Sequence, residues 1–139
     1  MKTTPEKRKT NLLNKSRQSI DLEPFFQREP VWPPDKQQHF IDTILREWGT
    51  PKIFLWKRAE GDYACVDGKQ RLISLFDFMD NRLPLSKKYS GDYGGKTYSK
   101  LSPEIQCKID DYEFDVEILT EAKDDEVFDF LRDSSVALS

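Results

Sequence analysis

The chain has 139 residues, 37% hydrophobic and 34% charged, with a net charge of −3. That length carries one domain around a single core, and no apolar run approaches the roughly 18 residues that a helical membrane span needs. Two cysteines (Cys65, Cys107) and one histidine (His39) exclude a disulfide-rich scaffold and a Cys/His zinc cage, so neither zinc nor haem is expected and a reducing cytoplasm is the natural compartment.

The charge is unevenly spread. Residues 1–19 carry six Lys/Arg against one Glu, leaving −8 on the other 120 residues, and residues 110–133 hold eleven acids against two bases. A domain that grips DNA broadly through phosphates shows a basic face, and the body of this chain shows none. Residues 1–19 lack apolar periodicity and a continuous apolar h-region, so they read as a flexible basic tail rather than a secretory signal, with a nucleic-acid-touching arm as the alternative. The domain proper is expected over 20–139.

From Ile20 the chain turns apolar in short pieces. Ile20 to Leu22 fits a short strand, and Pro24, Pro30, Pro33 and Pro34 force extended or turn geometry. A helix is predicted from Asp35, with Phe40, Ile41, Ile44, Leu45 and Trp48 on one face and Gly49 and Pro51 closing it. Two strands follow, 52–57 and 62–66, around a turn at Glu60-Gly61. A second helix is predicted over 69–81, with Leu72, Leu75, Phe76 and Met79 in a stripe. Residues 82–101, rich in Gly, Ser and Tyr, read as a long excursion that has room for a small hairpin. Ser102-Pro103 starts a short helix ending near Asp110, Phe114 to Leu119 alternates as a strand, and 124–132 gives a last helix with Val127, Phe128 and Leu131 inward. The class is α+β, a small mixed sheet with helices packed on it.

The stretch with the most chemistry is the joint in VDGKQRLISLF, residues 66–76. A strand that feeds directly into a helix leaves backbone N–H groups at the helix start, where the dipole favours an anion. Gly68 permits positive φ and a close approach to the backbone. Lys69 and Arg71 add cationic donors, Gln70 offers a donor and an acceptor, and Asp67 is placed to hold a metal-bound water or to organise Arg71. A purely structural reading stays open beside this one: Asp-Gly is a common turn, Asp67 can cap the helix, and Asp67 and Arg71 are spaced as an i,i+4 ion pair.

The string VDGKQRLISLF resembles the (I/V)-D-G-Q-Q-R-L-x-(S/T)-L motif of the N-terminal domain of GmrSD-type restriction endonucleases, a family of the ParB/sulfiredoxin-like superfamily. Leu22 to Trp32 (LEPFFQREPVW) is similar to that family's Q-R entry segment, and Lys36 to Leu45 with Pro51 to Leu55 to its following helix and strand; the three motifs stand in the same order across 20–132. The resemblance implies a ParB/sulfiredoxin-like fold whose loop binds nucleotide phosphates and supports nucleoside triphosphate hydrolysis with Mg2+. Carried over by position, Asp67, Gln70 and Arg71 are the catalytic candidates, and Arg28, Gly68, Lys69 and Arg71 the phosphate-binding ones. Lys69 departs from the pattern, standing where the family has a Gln: an ammonium keeps phosphate binding but does not orient a water as an amide does. No protein metal cage is expected. The family also implies a bacterial phage-defence or modification-dependent restriction role, with DNA reached through further domains or partner subunits and not cleaved by this chain, which reads as a truncation or a short relative. The alternative function is a non-catalytic nucleotide- or DNA-phosphate-binding module.

Other residues read as structural. Trp32 is expected to anchor its proline-rich segment rather than stack a base, His39 to lie at the surface, and Cys65, two residues before Asp67 on the same strand face, to fill the core. Lys87, Lys88, Tyr89, Tyr93, Lys96 and Tyr98 mix bases with aromatics as a nucleic-acid-facing loop does, though a solvated loop has the same composition.

Overall fold

A computed structural model describes residues 1–24 and 29–132. Among these residues five strands form one mixed sheet: β1 (Lys2–Lys9), β2 (Ile20–Asp21), β3 (Ile53–Ala59), β4 (Asp62–Asp67) and β5 (Glu113–Thr120), in the order β1-β5-β3-β4-β2. The pairs β1/β5 and β3/β4 are antiparallel, whereas β3/β5 and β2/β4 are parallel. Helices α1 (Thr10–Lys15), α2 (Pro34–Leu45), α3 (Lys69–Met79), α4 (Pro103–Asp111) and α5 (Asp124–Leu131) complete an α+β domain.

The two-residue period of the strands sorts their side chains onto two faces. Ile53 and Leu55 of β3, Cys65 of β4, and Phe114, Val116 and Ile118 of β5 meet the apolar sides of α1, α2, α3 and α4 in the main core. The intervening residues Trp56, Ala64, Val66 and Leu119 face the other way and are covered by Val127 of α5 with Phe130 and Leu131. Among the described residues no helix is long and apolar enough to cross a membrane.

The largest departure from the sequence reading is at residues 1–19. Instead of a tail, Lys2–Lys9 form an eight-residue edge strand in register with β5, from Lys2 opposite Thr120 to Lys9 opposite Glu113. The strand buries little side chain, so no periodicity marks it; its partner is recognised by backbone bonds and by charge. Lys7 lies 3.0 Å from Asp115, Lys2 3.5 Å from Glu121 and Lys9 3.7 Å from Asp111. The basic start and the acidic final third, which look unrelated in sequence, neutralise each other across one strand pair. Leu13 of α1 is fully buried, and Arg17 makes a two-pronged pair with Asp80, at 2.8 and 2.5 Å, just past α3.

Two helical faces also shift. The α2 helix stops at Leu45 because Glu47 takes a left-handed φ of 61°, which swings Trp48 off the apolar spiral to 59% exposure. In α5 the inward stripe is Val127, Phe130 and Leu131, while Phe128 points to solvent beside Arg132. The 82–101 excursion contains no strand. It is held by Leu85 N–H donating to Lys96 O and Gly95 N–H to Leu85 O, both at 2.8 Å, and by Ser90 Oγ donating to the buried Asp42 at 3.0 Å. Tyr98, edge-on to Phe78, donates to Asp110 at 2.7 Å, and burial first, then that carboxylate, pushes its phenol well up. Two of the loop's tyrosines, Tyr93 and Tyr98, therefore pack on the core rather than standing free as a stacking surface.

Candidate functional site

Strand β4 ends on Asp67, which pairs with Phe54 of β3, and α3 begins two residues later. Only Gly68 separates them, at φ 111°, so the chain reverses into the helix within one residue. A Cβ there would stand 3.2 and 3.4 Å from the methylene and methyl carbons of fully buried Ile53 and 3.3 Å from the Arg71 guanidinium. The glycine is thus required on both counts, backbone angle and room.

The joint gathers Asp67, Gly68, Lys69, Gln70 and Arg71 as expected from the sequence; Arg28 lies outside the described residues. Arg71 is 5% exposed, and its Nη2 donates to Asp67 Oδ2 at 3.3 Å across the i,i+4 spacing. Asp67 does not cap α3: the N-cap is Gly68, with no side-chain cap bond from its own neighbourhood. The cap comes from 39 residues earlier. Glu29 Oε2 accepts from Gly68 N–H at 3.2 Å and from Lys69 N–H at 2.8 Å. Glu23, near the start of the same segment, receives the Lys69 ammonium at 2.6 Å, and Trp32 N–H donates to Gln70 Oε1 at 3.1 Å. Trp32 itself packs edge-on to Phe40 with the Lys36 ammonium 4.7 Å from its ring centre, which is the anchoring role expected of it.

Gln70 is the outlier in this set. Its side chain is 1% exposed and its orientation is fixed, because a backbone N–H needs the amide oxygen, not the nitrogen, as its acceptor. The buried Nε2 then has no acceptor among the described residues. Buried donors are ordinarily satisfied, and an orphaned one costs about 1–3 kcal/mol. Behind the joint, Cys65 is fully buried, and burial with the nearby Glu29 and Asp67 charges pushes its thiol well up, which makes it a core residue and not a nucleophile.

Sequence reasoning missed Glu29, Glu23 and the Trp32 amide. The position of Glu29 beside Arg28 in the Q-R entry segment was the one available signal, since nothing in local spacing links residue 29 to residue 68. His39 sits exposed on α2 against Tyr89, away from the joint. An open cleft of about 550 Å³ lined by Lys7, Trp48, Cys107, Lys108, Tyr112 and Asp115 lies elsewhere and includes none of the joint residues.

The start of α3 thus gathers donors of several kinds: the Gly68 and Lys69 amides held by Glu29, the Lys69 ammonium held by Glu23, the Arg71 guanidinium paired with Asp67, and the Gln70 Nε2 with no acceptor among the described residues. Among the described residues no three His, Cys, Asp or Glu side chains cluster as a metal cage. A family model described as GmrSD restriction endonuclease, N-terminal domain, matches residues 10–136. No curated protein and no solved structure matches the chain.

Proposed function

We propose, since the chain belongs to the family of GmrSD restriction endonuclease N-terminal domains, that the Asp67 joint binds nucleotide phosphates in a cytoplasmic, DNA-directed restriction or phage-defence system. The observation that carries this reading is the buried Gln70 Nε2, which has no acceptor among the described residues and lies in the first turn of α3, where Lys69 and Arg71 are its sequence neighbours. Phosphate oxygens would accept from Gln70 and from the amides of Gly68 and Lys69, with Lys69 and Arg71 matching the charge. Asp67 would keep Arg71 oriented and offer a carboxylate to Mg2+. That ion, when bound with a triphosphate, supplies charge neutralisation at the phosphate oxygens.

Binding without turnover is the second reading, and a specific feature favours it. Lys69 replaces the amide expected beside Gln70, and its ammonium is held by Glu23, so the site lacks one of the two groups suited to orient a water. In that form the domain senses a nucleotide, or a DNA phosphate, for a partner that does the cutting.

Titration calorimetry with ATP and GTP in magnesium, on the wild type, Lys69→Ala and Gln70→Leu, tests the reading. Binding to the wild type, weakened about tenfold or more in each variant, supports it; binding indifferent to both substitutions, or no binding even when the Glu29 carboxylate is neutralised as Glu29→Gln, refutes it. Phosphate release in the same samples separates an NTPase from a sensor.

A further inference from the structure

The helix start that should receive an anion already holds one from the chain itself. A single carboxylate oxygen of Glu29 takes both the Gly68 and the Lys69 N–H, and a second carboxylate from the same segment, Glu23, takes the Lys69 ammonium. An N–H has one proton to give, so a phosphate oxygen and the Glu29 oxygen cannot both have it at full strength. Two negative groups drawn to one nest also repel each other. The Gln70 Nε2, by contrast, has no acceptor to give up among the described residues. The joint therefore divides into donors that Glu29 and Glu23 occupy and a donor still waiting.

We propose that Glu29 is a resident competitor: its carboxylate holds the anion nest of α3 in the empty protein and is exchanged for phosphate oxygens when the ligand binds. This rests on the phosphate-binding reading of the joint and adds its regulation. Apparent affinity is the intrinsic affinity scaled by the fraction of molecules with the nest vacated, so whatever draws Glu29 away raises affinity without touching the phosphate contacts. Neutralising the carboxylate leaves a weaker acceptor of the same shape, because hydrogen bonds to charged groups are roughly twice as strong as neutral ones.

The test is a titration of the 15N-labelled full chain with inorganic triphosphate and magnesium, following the Gly68 and Lys69 amide resonances in the wild type and in Glu29→Gln. The expected result is that triphosphate moves both amides and that Glu29→Gln binds about tenfold more tightly; binding seen only in Glu29→Gln also supports the proposal. If both amides move in the wild type but Glu29→Gln binds equally or more weakly, Glu29 is not a competitor while the phosphate site stands. If neither protein shows movement of these amides, the phosphate reading falls and the proposal with it. Should Glu29→Gln lose its dispersed spectrum, Glu29→Asp, one methylene short of the amides, replaces it with the same direction expected and the same results decisive.

Discussion

Replacing Gly68 by alanine puts two separate costs on one atom. The first is conformational: φ is 111°, outside the region an L-residue adopts comfortably, at about 1–2 kcal/mol. The second is steric, because the new methyl would meet Ile53 at 3.2 and 3.4 Å, and Ile53, fully buried on the central strand β3, would have to give by a few tenths of an ångström. Overpacking of this kind costs about 1–3 kcal/mol. The alanine recovers roughly 0.4–1 kcal/mol by restricting the unfolded chain. The net expectation is a loss of about 1–4.5 kcal/mol, read from urea denaturation midpoints at constant m-value. Gly61, at the β3–β4 turn, supplies the control: its φ is 70° but nothing lies within 4 Å of its missing Cβ. Gly61→Ala should show the conformational cost without the steric one, and so lose no more than about 1–2 kcal/mol. Equal losses at the two glycines would refute the claim that Ile53 walls the joint.

The part-buried Arg71–Asp67 pair at the joint should behave as a unit. Arg71→Met alone, which removes the guanidinium from the Asp67 carboxylate, is expected to destabilise by about 1–3 kcal/mol, and the double-mutant cycle with Asp67→Asn to show coupling; additive losses would mean the 3.3 Å contact contributes nothing. At the far end of α3, the Arg17 guanidinium hydrogen-bonded to Asp80 holds that carboxyl below its ordinary value. A depressed folded-state value adds stability above the unfolded one, near pH 4, and loses it as pH falls through the folded one. Arg17→Ala should therefore be less stable than the wild type at pH 7, with the gap closing only below about pH 4; a gap independent of pH would place the effect in packing against Phe76 instead.

What the sequence made legible was set by where the physics is local. The β3–β4 hairpin, α2, α3, α4 with its Ser102 cap, and β5 all have periodicity or end signals within a dozen residues, and each lies within two or three positions of its expected place. The strand β1 was illegible because its stabilisation is almost wholly backbone pairing and cross-strand charge with residues more than a hundred positions away. Trp48 and Phe128 fit helical spacing on paper, but one left-handed residue at Glu47 and a shift of the apolar stripe in α5 put them outside. At the joint, the cluster 67–71 could be read because it is contiguous. Its occupant could not, since the pairing of Glu29 with the Gly68 and Lys69 amides exists only once the fold has brought the two segments together.

The pairing of the first strand with the last also has a consequence for how the molecule is made. Lys7 and Asp115 are 108 residues apart and Met1 and Glu126 125, so β1 leaves the ribosome well before β5 and waits unpaired while the residues between them are synthesised. Loop closure over such a span is slow, and an unpaired strand in the interval is an aggregation hazard. A strand that is hydrophilic, lysine-rich and interrupted by Pro5 tolerates that wait in water. The composition that hides β1 from pattern reading is also what keeps it soluble until its partner arrives.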